Sequence, residues 1–145
     1  WRYHMSDINA AIGRAQLKRF KQLSKKRKDL SRYYENLLLK SPKIFKVIKR
    51  DLSKEVPHIY CVIIRDLKKR GLLVKDLAKQ NIQLGTHYYP GYKLTYYKKS
   101  KKFFPNTEKI YDKVITLPLH PDLKFKNLNY IVKKLREHLN KNIYY

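Results

Sequence analysis

Apolar residues at helical spacing dominate the first forty positions of the chain. Ser6 is a suitable N-cap, and Asp7 follows in the first turn, where the helix dipole favours a carboxylate. Beyond them, one face carries apolar residues three to five positions apart, with a gap at "KKRK" (25–28): Ile8, Ala11, Ile12, Ala15, Phe20, Leu23, Leu30, Tyr34 and Leu37. The pattern predicts one long helix, or two nearly collinear helices, that ends before Pro42. Small residues in its first half indicate a face that is buried or contacts another subunit.

Shorter patterns fill the rest of the chain. The predicted elements are a weak strand at 44–48, a stronger strand at 58–65, a helix at 72–81, a strand at 86–90, a helical turn at 106–114, a short strand at 114–119 and a helix that starts near Asn127. The strand at 58–65 is apolar on both faces, which predicts a central position in a sheet. The order indicates a two-layer α/β fold, with a small sheet covered by helices on one side. The longest apolar run, "IYCVII", is strand-sized, so we expect no membrane association.

The formal net charge of +24 in 145 residues raises the question of a polyanionic partner. A basic surface binds nucleic acid by releasing counterions from the phosphate backbone. Most of these basic residues are lysines scattered over every segment, accompanied by abundant Ile, Asn and Tyr, a mixture that an AT-rich genome supplies at solvated positions. We therefore expect a solvated surface rather than a nucleic-acid partner. Cys61 is the only cysteine, which excludes an intramolecular disulfide and fits a cytoplasmic location.

The usual signatures of a self-contained active site are absent from the sequence. The four glycines are isolated, the five histidines lack metal-ligand spacing, and the 11 acidic residues are dispersed. Two clusters stand out, "GTHYYPGY" (85–92) and "LPLHPDL" (117–123). A turn rich in polar-tipped aromatic residues suits ligand contact, although tyrosines of this kind also pack with a solvated hydroxyl. In the second cluster, we interpret His120 as structural.

Three segments carry a resemblance to a known family. "RYHMSDINAAIGRAQLKRF" resembles the segment that opens the long helix in the C-terminal part of the DegT/DnrJ/StrS sugar aminotransferases. "GTHYYPGYKLTYY" is similar to that family's "HY-x-P" loop, and "FPNTEKIYDKVITLPLHPDL" to its "TLPLHP-x-L" segment. The three occur in the family's order over nearly the whole chain.

The resemblance implies a pyridoxal-phosphate enzyme of the aspartate-aminotransferase fold type, which moves an amino group, usually from glutamate, onto a nucleotide-linked keto-sugar. It places the Schiff-base lysine in a large domain upstream of this chain, so the chain by itself is expected to be inactive. Arg2 stands where the family has an asparagine that contacts the cofactor phosphate across the dimer. His87 matches the histidine of the loop on the substrate side. Its neighbours Tyr88, Tyr89 and Tyr92 are further candidates for substrate contact.

The resemblance also implies a division of the chain. Residues 1–40 would form a connecting and interface helix, and residues 41–145 a small C-terminal α/β domain of a homodimeric enzyme in polysaccharide or glycan biosynthesis. Two alternatives stay open. One is a non-catalytic basic module that binds nucleic acid or an acidic glycan, and the other is a split or degenerate homologue that acts as a scaffold.

Overall fold

The computed structural model describes residues 3–97 and 104–141 and contains four α-helices and three strands. In chain order they are α1 (Asp7–Leu39), β1 (Phe45–Val47), β2 (Tyr60–Ile64), α2 (Arg70–Ala78), α3 (Pro105–Tyr111), β3 (Val114–Leu117) and α4 (Phe125–Lys141), with a 3₁₀ turn at Gly91–Lys93 before α3. Ser6 caps α1 as predicted, since its hydroxyl accepts a hydrogen bond from the Asn9 amide at 3.3 Å. α1 is a single helix.

The three strands form one antiparallel sheet with β2 in the centre, as its two apolar faces predicted. Phe45 lies opposite Ile64 on one side, and Val62 lies opposite Ile115 on the other. One face of the sheet contributes Tyr60, Val62, Ile64, Ile115 and Leu117 to the core, together with helix residues that are also buried: Leu30, Tyr34, Leu38, Leu73, Leu77, Leu128, Ile131, Val132 and Leu135. The helices therefore cover one side of the sheet, which confirms the two-layer α/β prediction.

The strand predicted at 86–90 is wrong. Gly85 forms a single antiparallel bridge with Thr116, through two backbone hydrogen bonds of 2.8 Å, and the chain then leaves the sheet edge. The His87 side chain turns back onto Thr116 instead of extending the ladder. Pro90 has no amide proton to donate and leads directly into the 3₁₀ turn. The segment is a loop held at one end by the sheet.

The first half of α1 is uncovered by the described part of the chain. Ile8, Ile12, Leu17 and Phe20 are exposed, whereas the buried positions of α1 begin at Ser24. The face predicted to be buried is therefore not buried within this chain, and its contact with another subunit stays a prediction. Among the described residues, no helix has both the length and the hydropathy that a bilayer crossing needs.

Candidate functional site

A groove lies where the loop after Gly85 meets the end of β3. It has a volume of about 230 Å³, and we call it the His87 groove. Its lining residues come from three segments of the chain: His58, Ile59, Gln83, Leu84, Gly85, His87, Thr116, Leu117, Pro118 and Leu119. Both clusters singled out in the sequence contribute to it. The fold thus brings the start of the "GTHYYPGY" loop and the "LPL" segment to one place.

His87 lines this groove with its imidazole ring. Its Nδ1 lies 3.0 Å from the hydroxyl oxygen of Thr116, a buried residue of β3. The ring also meets Tyr88 edge to face, with centroids 4.8 Å apart, and the peptide bond between the two residues is cis. The imidazole is therefore fixed by the sheet on one side although the residue is exposed on the other.

Tyr88 and Tyr89 follow at the outer side of the loop. Their side chains are 69% and 55% exposed, so both rings are available to a ligand or to another polypeptide. Tyr89 packs edge to face on Tyr111 of α3, with centroids 6.0 Å apart. Neither tyrosine lines the His87 groove, but both directly follow His87 in the chain.

Tyr92 lies away from the groove and is half-buried against α3. Its hydroxyl donates a hydrogen bond to the Glu108 carboxylate, and its ring stacks on Phe104 at 4.5 Å. Burial of the hydroxyl, followed by the hydrogen bond and the charge of Glu108, raises the pKa of Tyr92 to about 12. Lys93 reaches the same carboxylate at 3.1 Å. These contacts anchor the far end of the loop to α3.

The described groove does not by itself fit pyridoxal phosphate. The coenzyme needs a lysine amine for its Schiff base and an acidic partner for its ring nitrogen, and the groove lining contains neither lysine nor carboxylate. Arg2, the candidate phosphate contact, lies outside the described residues. Within residues 3–97 and 104–141, no group of three or more His, Cys, Asp or Glu side chains could hold a metal ion.

Three residues of the site were missed by the sequence reasoning. Thr116 and Gly85 frame the His87 ring, and both lie in the segments that carry the family resemblance, although no role was predicted for either residue. Arg27 of α1 donates hydrogen bonds to the carbonyls of His58, at 3.1 Å, and Leu119, at 3.0 Å, and so braces two walls of the groove. Nothing in the sequence distinguishes Arg27 from the surrounding basic residues of "KKRK".

Comparison with known proteins matches nearly the whole chain to relatives of one kind. An uncharacterised protein of Methanocaldococcus jannaschii is 31% identical over 98% of this chain and 39% of its own length. UDP-4-amino-4,6-dideoxy-N-acetyl-beta-L-altrosamine transaminase of Campylobacter jejuni is 24% identical over 97% of this chain and 39% of its own. Spr1654 of Streptococcus pneumoniae, named as a sugar aminotransferase and solved in a PLP form, aligns with a TM-score of 0.81 and 29% identity, over 90% of this chain and 34% of that chain.

This chain therefore spans less than two-fifths of the length of the two curated relatives. The family model of the DegT/DnrJ/EryC1/StrS aminotransferases matches residues 1–136. Its match covers all three segments on which the resemblance was based, together with α1 to α3, the whole sheet and most of α4. The chain belongs to the DegT/DnrJ/EryC1/StrS aminotransferase family.

Proposed function

We propose that this chain is the small-domain portion of a cytoplasmic, pyridoxal-phosphate-dependent aminotransferase. The enzyme would move an amino group from an amino acid, glutamate in our proposal, onto the keto carbon of a nucleotide-linked sugar used in glycan biosynthesis. The observation that carries the proposal is the His87 loop, which sets one fixed imidazole and two exposed tyrosines beside a groove in a chain of this family. A relative that transaminates a UDP-linked amino sugar supports the substrate class.

The division of labour within the enzyme is also a proposal. Pyridoxal phosphate, when bound, supplies the electron sink for amino transfer. We place its Schiff-base lysine and ring-nitrogen partner in a large domain N-terminal to Trp1, because the family resemblance puts both groups upstream and this chain spans 39% of the length of its curated relatives. Residues 1–40 would connect the domains, and residues 41–145 would form the small domain. In a homodimer, Arg2 would contact the cofactor phosphate of the partner subunit, and this chain alone would be inactive.

The substrate side of the site is assigned to the loop. His87 would donate to or accept from polar atoms of the nucleotide-sugar, since no hydrogen bond among the described residues occupies its Nε2. Tyr88 and Tyr89 offer exposed rings on which a sugar or a base could pack. Tyr92 would contribute at the margin of the same site, where its contacts with α3 also hold the loop in position.

The test starts from the DNA immediately upstream of the Trp1 codon. We expect an open frame that encodes a large α/β domain with the lysine. The protein from that complete frame should form 2-oxoglutarate from glutamate in step with a UDP-linked amino sugar formed from its 4-keto or 3-keto precursor, as measured by mass spectrometry. A start codon at the boundary, or no amino transfer to any keto-sugar, would contradict the proposal and favour the scaffold alternative.

The second candidate function, a basic binding module, is favoured by one observation. Five basic residues of α1 are three or four positions apart and so share one face, which is exposed or half-exposed along its length: Arg14, Lys18, Lys21, Lys25 and Lys28. A regular row of cations along a helix is a surface on which a phosphate backbone can bind. The same row also serves as an ordinary solvated helix face.

Fluorescence anisotropy with a single-stranded oligonucleotide discriminates these two interpretations of the basic row. A binding module should lose affinity steeply between about 50 and 200 mM salt. It should also lose affinity in Lys18→Gln/Lys21→Gln/Lys25→Gln but not in Lys46→Gln/Lys75→Gln/Lys133→Gln, a control that removes the same charge from other exposed sites. Equal losses of oligonucleotide affinity in both triple variants would show that the basic row of α1 is an ordinary solvated surface and not a binding site.

A further inference from the structure

The His87 ring is held on two sides by small residues of the sheet edge. Thr116 Oγ1 lies 3.0 Å from Nδ1. On the other side, a Cβ placed on Gly85 would lie 2.7 Å from Cε1 and 2.9 Å from Nδ1 of the same ring, so only glycine leaves room for it. The imidazole is therefore confined between Gly85 and Thr116, and its Nδ1 edge lies against β3.

The hydroxyl of Thr116 has a second neighbour. Cys61 Sγ of β2 lies 3.4 Å from the same oxygen, opposite Thr116 in the sheet register. The hydroxyl has one proton to give, and sulfur is a poor acceptor, whereas an unprotonated imidazole nitrogen is a good one. The favoured hydrogen-bond chain therefore runs from Cys61 to His87. The Cys61 S–H donates to Thr116 Oγ1, and the Thr116 O–H donates to His87 Nδ1, so neither hydrogen bond uses sulfur as its acceptor.

This direction determines which ring nitrogen of neutral His87 is protonated. When Nδ1 accepts, the proton of a neutral imidazole is on Nε2. Within the described residues no hydrogen bond involves Nε2, and the ring lines the groove. The nitrogen that is left for a ligand is therefore a donor.

We propose that Thr116 and Gly85 are positioning residues that hold His87 in the Nε2–H tautomer, so that it donates a hydrogen bond to an oxygen atom of the bound nucleotide-sugar. The inference rests on the proposed function for the identity of the ligand. Cys61 completes the orientation by donating to the Thr116 hydroxyl. Oxygen atoms of the diphosphate and of the sugar are acceptors that match such a donor.

The tautomer can be measured on the ligand-free chain, independently of any activity. At about pH 7.5, below the ordinary pKa of a free thiol, the ¹⁵N shifts and long-range ¹H–¹⁵N couplings of the neutral form of His87 should show a protonated Nε2 and an unprotonated Nδ1. Thr116→Val should give a mixture of tautomers, whereas Thr116→Ser, which keeps the hydroxyl, should retain the single form. A wild-type Nδ1–H tautomer, or a Thr116→Val spectrum like the wild type, would overturn the proposal.

Kinetics of the protein from the complete reading frame test the ligand. His87→Gln keeps an N–H donor about as far from the backbone as Nε2, whereas His87→Asn places its N–H donor about as far from the backbone as Nδ1. His87→Gln should therefore raise the KM for the nucleotide-sugar less than His87→Asn does, by about tenfold between them, with the glutamate half-reaction unchanged. Equal KM values for the two variants would refute the donor role while amino transfer persists, whereas absence of amino transfer would refute the proposed function.

Discussion

At the residue scale, the site depends on a position without a side chain. Gly85 lies beside β3, where the chain leaves the edge of the sheet, and is hydrogen-bonded to Thr116 through both its amide and its carbonyl. Its backbone conformation is open to any residue, because no glycine described here has a positive φ. Glycine is required there by the close approach of the His87 ring. A side chain at position 85 is excluded on steric grounds, so the sheet edge directly determines where the His87 ring can lie.

Gly85→Ala should therefore destabilise the chain, whereas Gly71→Ala should not. A methyl group at position 85 collides with the His87 ring, an overpacking that costs about 1–3 kcal/mol. A Cβ at Gly71, the second residue of α2, meets no atom within 4 Å and should leave the stability unchanged or raise it by at most about 0.5 kcal/mol. Urea unfolding of both variants measures the two free energies. Equal stabilities would show that the His87 ring does not occupy the space beside Gly85.

Tyr92 provides a pH-dependent test of the loop anchor. Its pKa in the folded chain is raised to about 12, above the ordinary value near 10. The neutral phenol is the form that the fold favours, so its stabilisation is complete below about pH 10 and is lost as pH rises through 12. Burial raises the pKa of Tyr34 and Tyr60 as well, so single variants are needed to separate the three.

In an alkaline absorbance titration, Tyr92→Phe should remove one tyrosine that ionises about two pH units late. The difference between wild type and variant isolates this group from the other tyrosines. Tyr97→Phe, which alters an exposed tyrosine, is the control and should leave the late-ionising tyrosine in place. If Tyr92→Phe keeps as many late-ionising tyrosines as the wild type, the contact with Glu108 does not form.

At the element scale, burial of one helix face against the sheet holds α1 in place. Tyr34 of α1 packs on Tyr60 of β2 with ring centroids 5.0 Å apart, and both are fully buried. The Tyr34 hydroxyl donates to the Pro118 carbonyl at 3.0 Å, which ties α1 to the wall of the His87 groove. Among the described residues, the Tyr60 hydroxyl is buried without a hydrogen-bond partner. The Tyr34 hydroxyl thus has a hydrogen-bond partner among the described residues, and the Tyr60 hydroxyl has none.

Removal of the hydroxyl group should destabilise the chain at Tyr34 but not at Tyr60. Tyr34→Phe loses a buried hydrogen bond and leaves a carbonyl unpaired, which costs about 1–2 kcal/mol of unfolding free energy. Tyr60→Phe removes a buried group that has no partner and should be neutral or stabilising, within about 0.5 kcal/mol. Thermal and urea unfolding measure both changes. A Tyr60→Phe variant as unstable as Tyr34→Phe would contradict the hydrogen-bond assignment.

The sequence predicted the elements that hydrophobic periodicity controls and missed those that local geometry controls. α1, β2 and α4 carry apolar residues at regular spacing, so their type and place followed from the pattern. The segment after Gly85 has strand-forming tyrosines, but a folded-back His87 and a proline end its pairing after one bridge. The His87–Thr116 contact joins residues 29 positions apart, and no local pattern encodes such a meeting.

At the scale of the whole molecule, α1 extends beyond the domain that it stabilises. Its C-terminal half packs on the sheet and α4, while its N-terminal half presents large apolar side chains to solvent. Apolar surface of this kind marks an interface in soluble proteins. In the proposed enzyme, another domain or a second subunit would cover it.

The isolated chain should therefore self-associate through the start of α1. Sedimentation velocity should give a sedimentation coefficient that rises with concentration. In Ile8→Glu/Ile12→Glu it should stay at the monomer value, because both changes place charge on residues that are 74% and 56% exposed. Ile48→Glu/Val56→Glu, at 39% and 38% exposure elsewhere, is the matched control and should still associate. A monomeric wild type would contradict the proposed interface.

The most direct test of the central claim is the effect of His87 on the two halves of amino transfer. In the protein from the complete reading frame, His87→Ala is compared with His120→Ala, an exposed histidine outside the groove. The account predicts that His87→Ala raises the KM for the nucleotide-sugar about tenfold or more and leaves the glutamate half-reaction intact, while His120→Ala changes neither. Equal behaviour of the two variants, or an equal loss of both half-reactions in His87→Ala, would contradict it.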